Sequence, residues 1–284
     1  MQYDIIIPSS IIDVKFLKWV IKYIRKNLIE AKNIYIITKK EGQGILEGFK
    51  INNVFFVDED ALFEGLSFSK VHVYLKDKGY EVHRTGWYFQ QFLKMAFSLS
   101  KYCEGYYLSW DSDTLPLSHI QFFENEHPVF TLKKEYHKPY FATINRLIGL
   151  KKIRQESFIA EHMIFSREVM NELIANINQK DSTKIWWQVI LDNIEVTGEG
   201  NYFSEFETYG TFVTTKYPDL YKFQRLNTFR SAGLIKGRHI DDNLIERLSV
   251  DLDIASFEIQ DQRFPYNFEK IQLKISQKFK KIFK

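Results

Sequence analysis

The sequence predicts an α/β fold in which helices flank a mixed sheet of short strands. Short apolar runs alternate with amphipathic stretches along the chain, which is the pattern of layered α/β proteins. Hydrophobic residues make up 45% of the 284 residues and aromatic residues 16%, so the chain can bury a large core and most of it is not intrinsically disordered. No repeat or Pro/Gly-rich boundary interrupts the pattern, so we expect one domain over residues 1–267 with a less regular second half.

The first half of the chain carries the most regular elements. Apolar runs predict strands, and apolar residues at helical spacing predict helices. Strands are predicted over 3–7, 33–38, 54–57 and 106–110. Helices are predicted over 13–27, with Asp13 as the N-cap, and over 85–101. Pro8 ends the first strand, because proline has no backbone N–H to donate to a sheet.

The second half has a looser pattern. Strands are predicted over 129–132, 163–166 and 252–259, and helices over 167–178 and 186–194. A last helix is predicted over 268–284. Residues 269–284 contain six Lys and one Glu, and a helical stripe of apolar residues runs between them. Such a basic amphipathic helix suits an anionic membrane surface, and the alternative is a terminal helix packed on the domain with its lysines in water.

Charge and cysteine content narrow the classes of function. The formal net charge is +3, and the tail accounts for all of the positive excess, so a nucleic-acid binder with a strongly basic surface is excluded. The single Cys excludes an internal disulfide and a Cys-rich metal site, and it is compatible with a reducing compartment. The apolar run near the N-terminus is too short for a signal peptide. No stretch of the chain reaches the roughly 18–20 apolar residues of a membrane span. We expect a cytoplasmic protein, with peripheral contact to the inner face of the membrane as an option.

The segment YYLSWDSDT is the most informative in the chain. An apolar strand carries Asp111 and Asp113 to its C-terminal end, where open α/β sheets bind ligands. Side chains two residues apart on an extended backbone point the same way, so both carboxylates can converge on one Mg²⁺ or Mn²⁺. Such an ion can bridge a diphosphate and neutralise the charge that develops on it. The alternative is an ordinary strand-to-turn junction, where Asp and Ser are common.

The triplet also resembles the nucleophile motif of haloacid-dehalogenase-like phosphatases, D-x-D-x-T. Asp111 would then be the nucleophile, and Asp241 and Asp242 would supply the later metal pair. That motif usually lies on the first strand of its domain, whereas about a hundred residues precede it here.

The order of motifs resembles the GT-A-fold glycosyltransferases that use nucleotide sugars. Residues 3–10, YDIIIPSS, are similar to their first strand, and D-x-D follows about a hundred residues later. The helix RTGWYFQQFLKMAF followed by YYLSWDSDT is similar to a bacterial branch of these enzymes associated with capsule and lipopolysaccharide assembly. The resemblance covers most of residues 1–240. It implies a GT-A-like, Rossmann-type mixed sheet, with a nucleotide-binding half over 1–115 and an acceptor half over 116–267.

The resemblance also implies the residues that bind the donor and the metal. Pro8 and Ser9 at the end of the first strand, and Asp111 and Ser112 at the D-x-D, would contact a nucleotide sugar. Asp111 and Asp113 would hold Mn²⁺ or Mg²⁺ on its diphosphate.

The helix that follows Arg84 is the next candidate for donor contact. Arg84 and Gln91 are seven residues apart and share a helix face. The resemblance places Arg84 and Lys94 toward the diphosphate or the D-x-D carboxylates, since Arg forms bidentate phosphate contacts and Lys is a point charge. Gly86 would let the backbone approach a ligand closely. The alternative is an amphipathic helix whose polar residues face water.

The segment NYFSEFETYGTF supplies the candidate base. In inverting transferases an acid activates the acceptor hydroxyl on the face opposite the leaving nucleotide. Both Glu205 and Glu207 are candidates for this catalytic role. Ser204 and Glu207 also have the spacing of a capping box, which makes Glu205 the better base and Glu207 the structural partner.

Three further residues complete the predicted site. The resemblance suggests that His162 lines the donor or acceptor cleft, although a lone His is more often structural. His239 in GLIKGRHID is a candidate third metal ligand, and Lys236 beside it can hold diphosphate. The alternative for this segment is an ordinary basic surface loop.

These observations predict a metal-dependent transferase with two alternatives. The favoured function moves a sugar from a nucleotide-sugar donor to a glycan or lipid-linked glycan acceptor, with inversion. The second is a phosphatase that uses D-x-D-x-T, and the third is a non-catalytic module that binds membranes through the tail.

Overall fold

The computed structural model describes residues 1–48, 51–196 and 200–262. They form two compact units that are interleaved in the sequence. Unit 1 comprises residues 1–15, 30–112 and 121–225, and unit 2 comprises residues 16–29, 113–120 and the described residues from 226 onward. Each unit therefore draws on both of the halves that were divided at residue 115. The tail predicted as a basic helix over 268–284 lies outside the described residues.

The secondary structure of the described residues consists of short strands and medium-length helices. The strands are β1 (Tyr3–Pro8), β2 (Ala31–Thr38), β3 (Val54–Asp58), β4 (Tyr106–Trp110), β5 (Thr114–Pro116), β6 (Phe123–Glu124), β7 (His127–Thr131), β8 (His162–Ser166), β9 (Lys222–Gln224), β10 (Thr228–Phe229) and β11 (Ile254–Ser256). The helices are α1 (Leu17–Asn27), α2 (Gln43–Glu47), α3 (Phe68–Asp77), α4 (Thr85–Ala96), α5 (Lys138–Ile148), α6 (Arg167–Asn178), α7 (Trp186–Asn193), α8 (Glu205–Lys216), α9 (Gly233–Lys236) and α10 (Asp242–Leu248). None of these helices has the length and apolar character needed to cross a membrane.

Unit 1 is built on a five-stranded mixed sheet in the order β3-β2-β1-β4-β8. The first four strands are parallel, and β8 runs antiparallel to β4. In the central register Ile5 pairs with Ile34 on one side and Leu108 on the other. All six residues of β1 are buried, as expected of a parallel strand covered on both faces. The mixed sheet with flanking helices confirms the predicted α/β class.

Helix α8 runs through the interior of unit 1. Its residues are buried from the first turn to Thr214, and it packs against α4, α5 and α6. Gly210 permits this burial, because a Cβ placed there would lie only 2.3 Å from Cδ2 of Phe158. The hydroxyl of Tyr209 accepts a hydrogen bond from the backbone N–H of Ser166 at 2.9 Å, which fixes α8 against the end of β8.

A smaller sheet completes unit 1, and another forms the centre of unit 2. In unit 1 the strand order is β6-β7-β9, and Phe130 on β7 stacks on Tyr221 with ring centroids 3.9 Å apart. In unit 2 the order is β10-β11-β5. Helix α1 packs on β5, and Tyr23 on α1 donates a hydrogen bond to Asp242 at 2.8 Å.

Several predicted boundaries differ from the structure: most shift by one or two residues, Pro8 belongs to β1 instead of following it, and the larger differences are at α1, α4 and β11. The helix predicted from Asp13 begins at Leu17, because the Asp13 carboxylate accepts from the Ser10 hydroxyl instead of capping a helix. The helix predicted to residue 101 ends at Ala96, where a 3-10 turn follows and serine hydroxyls donate back to the preceding carbonyls. The strand predicted over 252–259 is limited to Ile254–Ser256.

Candidate functional site

A cavity of about 570 Å³ lies at the C-terminal ends of β1 to β4 in unit 1. Residues at the end of each strand line it: Pro8 and Ser9 at the end of β1, Lys39 after β2, Glu59 after β3 and Ser112 after β4. Open α/β sheets bind ligands at this edge. The volume is in the range of small-molecule sites, which are about 300–1,000 Å³. Pro8, Ser9 and Ser112 were predicted to bind the donor, and the structure brings them to one cavity.

One wall of the cavity is formed by α4. Gly86, Gln90 and Leu93 line it, at the three- and four-residue spacing of one helix face, together with Trp87 and Phe89. Gly86 is in the first turn of α4, and no heavy atom lies within 4 Å of the position of its missing Cβ. The backbone at the positive end of this helix is therefore open to a ligand, and helix N-termini favour anions.

Three polar residues that the sequence predicted to bind the donor, Gln91 and Lys94 in α4 and Arg84 just before it, do not line the cavity. Arg84 precedes the helix and lies 3.7 Å, through Nε, from a carboxylate oxygen of Glu81. Gln91 is buried, and its Oε1 accepts from the backbone N–H of Glu205 at 3.3 Å. Lys94 points into unit 1. Gln91 and Lys94 thus face the interior of unit 1, and Arg84 lies just before the first turn of α4. The cavity is lined by the adjacent face of this helix.

Lys94 connects the D-x-D strand to α8. Its Nζ lies 3.3 Å from Oδ1 of Asp111 and 3.0 Å from Oε1 of Glu205. The side chains of Lys94 and Glu205 are 4% and 1% exposed, and that of Asp111 is 28% exposed. Burial alone would lower the pKa of Lys94, but Asp111 and Glu205 raise it above its ordinary value. Lys94 is therefore charged, and it binds the first D-x-D carboxylate from inside.

The start of α8 confirms that Ser204 is the N-cap, but Glu207 does not complete the predicted capping box. Ser204 is the N-cap, and its Oγ accepts from the backbone N–H of Glu207 at 3.3 Å. The Glu207 carboxylate does not return to Ser204: it accepts from the Ser157 hydroxyl at 2.5 Å and from the Phe158 N–H at 3.2 Å. Glu207 thus fixes the loop before β8. Burial raises the pKa of both Glu205 and Glu207.

His162 lies in the core of unit 1 and does not line the cavity. Its ring stacks on Trp110 with centroids 5.0 Å apart, and its Nε2 is 2.8 Å from the hydroxyl of Thr131. Burial, with the nearby Lys133, lowers its pKa to about 3. The ring is therefore neutral at physiological pH and fills space between aromatic side chains.

The predicted metal and phosphate ligands fall in both units. Asp111 belongs to unit 1, where its N–H donates to the Glu161 carbonyl at 3.0 Å. Asp113 belongs to unit 2, where its Oδ2 is 3.9 Å from a guanidinium nitrogen of Arg238.

The two late candidates belong to unit 2. His239 follows α9 in a turn in which its N–H donates to the carbonyl of Lys236. The Lys236 amine is 3.9 Å from a carboxylate oxygen of Asp241.

The donor set at the D-x-D suits a divalent cation without a complete protein cage. Within the part of the chain that the structure describes, no group of three or more His, Cys, Asp or Glu side chains is placed to hold a metal. The side chains of Asp111 and Asp113 are partly exposed, at 28% and 24%. Mg²⁺ is usually held by one or two carboxylates and completes its shell with water and substrate phosphates. Each of these partly exposed carboxylates, taken by itself, fits that requirement.

The acid pair of the phosphatase alternative has structural roles. Asp241 caps α10, since its Oδ1 accepts from the Leu244 N–H at 2.8 Å. Asp242 binds Lys22 at 2.6 Å and Tyr23 at 2.8 Å. These contacts give both acids structural roles, so the pair no longer supports the phosphatase alternative, which then depends on the D-x-D-x-T match alone.

Most of the cavity lining was not predicted from the sequence, and three of the missed residues bear on ligand binding: Lys39, Glu59 and Phe68. Glu59 is buried, and burial raises its pKa to about 7. The amine of Lys39 lies over the ring of Phe68, with Nζ 5.0 Å from the ring centroid. Lys39 and Glu59 directly follow β2 and β3, and position after a parallel strand is the signal that would have identified them.

Comparison with known proteins leaves the family open. No protein-family model and no curated protein matches the chain. Solved structures with a similar chain path include mouse xyloside xylosyltransferase 1, at 11% identity over 90% of this chain and 97% of that one, with a TM-score of 0.49. Galactosyltransferase LgtC, bound to donor and acceptor sugar analogues, matches at 11% identity over 89% and 86%, with a TM-score of 0.42. Core-mannan synthase A from Aspergillus fumigatus, in a Mn/GDP form, matches at 9% identity over 78% and 72%, with a TM-score of 0.47. All three TM-scores are below 0.5, so function has to be inferred from this chain's own residues.

Proposed function

We propose that the chain is a GT-A-type glycosyltransferase that moves a sugar from a nucleotide-sugar donor to a glycan or lipid-linked glycan acceptor. One observation carries the proposal: the cavity at the C-terminal ends of four parallel strands includes Ser112, the central residue of the D-x-D. A strand end that carries two carboxylates beside a cavity of this size suits a metal-bound diphosphate.

The residues around the cavity suggest how the donor is held. Ser9 and Ser112 present hydroxyl groups, and the open backbone at Gly86 presents the positive end of α4. Asp111 and Asp113 would hold Mn²⁺ or Mg²⁺, which when bound neutralises charge on the departing diphosphate. Lys94 binds Asp111 from the interior of unit 1, so its proposed role is to position this metal-binding carboxylate and not to contact the phosphates.

The base of an inverting displacement is proposed to be Glu205. Its carboxyl group has a raised pKa, which moves it toward the range suited to proton transfer. Its pairing with Lys94 gives it a structural role as well, and the two roles make different predictions for substitution.

A nucleotide screen tests the proposed function. Thermal unfolding would be followed with nucleoside diphosphates and nucleotide sugars, each with and without Mn²⁺. We expect at least one nucleotide to stabilise the wild type in a Mn²⁺-dependent way, and Asp111→Asn and Asp113→Asn to abolish that shift. Asp219→Asn, which changes an exposed carboxylate away from the cavity, should retain it. A Mn²⁺-independent response, or none with any nucleotide, would contradict the proposal.

The proposed membrane contact needs a separate experiment. Residues 268–284 are expected to attach the enzyme to anionic lipid. Cosedimentation with vesicles containing phosphatidylserine should succeed for the full chain and fail after removal of residues 268–284, while Mn²⁺-dependent nucleotide binding persists. Equal sedimentation of both proteins would exclude the tail as a membrane anchor.

A further inference from the structure

Glu59 is a buried acidic residue that lines the cavity. Only 7% of the residue is exposed, and it lines the cavity where β3 ends. Among the described residues, no side chain or backbone group donates a hydrogen bond to its carboxylate. Its two acidic neighbours are engaged, because Asp58 accepts from the N–H of Asp60 at 3.2 Å and Asp60 accepts from the N–H of Phe68 at 2.9 Å.

This arrangement leaves one carboxylate of the acidic turn free for a ligand. Removal from bulk water disfavours the charged form of a carboxyl group, and burial raises the pKa of Glu59 to about 7. The acids Asp58, Asp60 and Glu41 add to that rise, and the amine of Lys39 opposes it. A ligand that supplies N–H donors would remove the penalty and return the group to its ionised form.

We propose that Glu59 recognises the base of the donor nucleotide, and that this base is guanine. The inference rests on the proposed function and names the class of donor. An ionised carboxylate only accepts hydrogen bonds, and it offers two oxygens side by side. Guanine presents two adjacent N–H donors, at N1 and at the exocyclic N2. Adenine and cytosine present a donor next to an acceptor, and uracil presents one N–H between two carbonyls, so each would place an acceptor against the carboxylate.

The surroundings of Glu59 suit a nucleobase. Phe68 supplies an aromatic wall in the same cavity, and the hydrogen bond from Phe68 to Asp60 fixes this wall to the turn that carries Glu59. Glu59 follows β3 and Ser112 follows β4, with β2 and β1 between them. Three strand spacings of about 4.8 Å separate the two ends by roughly 14 Å. A nucleoside can therefore lie across the strand ends, with its base at Glu59 and its diphosphate toward Ser112.

The test compares four nucleotides on two variants. Affinities for GDP, UDP, ADP and CDP would be measured by titration calorimetry with Mn²⁺ present, for the wild type, Glu59→Gln and Glu41→Gln. Glu41 is an exposed acid near the turn that does not line the cavity, so it provides the matched control. We expect GDP to bind the wild type at least tenfold more tightly than the others. At pH 8, where the carboxylate form of Glu59 prevails, Glu59→Gln should lose at least about tenfold for GDP and little for the other three, and Glu41→Gln should behave as the wild type.

The pH dependence supplies a second measurement. GDP affinity of the wild type should rise between pH 6 and pH 8, because the carboxylate form is the acceptor, and it should be flat for Glu59→Gln. Thermal unfolding of Glu59→Gln without nucleotide would verify that this variant is folded. If another nucleotide binds most tightly, or if Glu59→Gln leaves the order of affinities unchanged, the assignment to Glu59 is wrong and the proposed transferase stands. If no nucleotide binds with Mn²⁺, both fail.

Discussion

The amine of Lys94 lies 3.3 Å from the carboxylate of Asp111, and this contact links helix α4 to the first acid of the D-x-D. The same amine is 3.0 Å from Glu205 at the start of α8. A cation between two carboxylates fixes the end of β4 relative to two helices of the same unit. The sequence analysis placed Lys94 toward the diphosphate or the D-x-D carboxylates, and the structure places it against the first of those carboxylates.

Removing the Lys94 charge should destabilise the protein strongly. Lys94→Met removes the cation between Asp111 and Glu205, and loss of one partner from a buried ion pair typically costs about 3–5 kcal/mol. Urea unfolding measures the effect. Lys32→Met is the matched control, because Lys32 pairs with Glu104 at the same 3.0 Å distance but both side chains are about half or more exposed. We expect no measurable change for that variant, and equal effects of the two substitutions would show that burial does not matter here.

Glu205→Gln should distinguish the proposed role of Glu205 as the catalytic base from its structural pairing with Lys94. If Glu205 is the base, the rate of sugar transfer should fall by about 10²- to 10⁴-fold while Mn²⁺-dependent nucleotide affinity is retained. Single-turnover kinetics and nucleotide titration on the same preparation measure both quantities. Gln retains the shape of Glu and can still contact Lys94. A rate within a few-fold of the wild type would refute the role as base and leave only the pairing with Lys94.

Gly86→Ala should weaken nucleotide binding without weakening the fold. A Cβ at this position meets no atom of the protein, so the methyl group would project into the cavity mouth. Alanine in place of glycine in a helix favours folding by up to about 1 kcal/mol. Gly44→Ala in α2 is the control, since its Cβ also meets nothing and the residue lies outside the cavity. Both variants should unfold at or above the wild-type temperature, and only Gly86→Ala should lose nucleotide affinity, by about tenfold or more. A loss of affinity in both would rule out a local effect at the cavity.

The buried His162 should make stability depend on pH below neutrality. Its pKa is about 3 in the folded protein and near 6.5 in the unfolded chain. As pH falls below 6.5 the unfolded chain gains the proton first, so this group lowers stability by up to about 1.4 kcal/mol for each pH unit between 6.5 and 3. His162→Gln retains a polar group near Thr131 and does not titrate. The difference in unfolding free energy between the two proteins should therefore change with pH over that interval and stay constant above pH 7.5, and a difference independent of pH would contradict the buried neutral ring.

The sequence predicted the elements whose signals are local. The apolar run before the D-x-D identified β4 with both of its bounds, and helical periodicity did the same for α6. Helix α5 was missed although Pro139 near its start and Gly149 just past its end are standard signals of helix termini. The bounds at α1 and α4 were wrong because serine side chains bind nearby groups there and change the local hydrogen bonding.

The site was predictable only in part, because its contacts connect distant segments. Spacing placed Arg84 and Gln91 on one face of α4, but it carries no information on which face meets the cavity. The contact of Gln91 with Glu205 joins residues 114 positions apart. Glu59 appeared as one acid of an ordinary turn, and only the folded chain distinguishes it from its two engaged neighbours.

The interleaved composition of unit 2 has a consequence for how the protein is made. Helix α1 and strand β5 are synthesised early, but the rest of their unit begins at residue 226, about 200 residues after α1 ends. At ribosomal rates of about 5–20 residues per second, roughly 10–40 s pass between the synthesis of α1 and that of β10 and β11, which complete the sheet of unit 2. During translation, then, unit 1 can finish its five-stranded sheet first, and α1 is a segment that a chaperone would be expected to bind on the nascent chain.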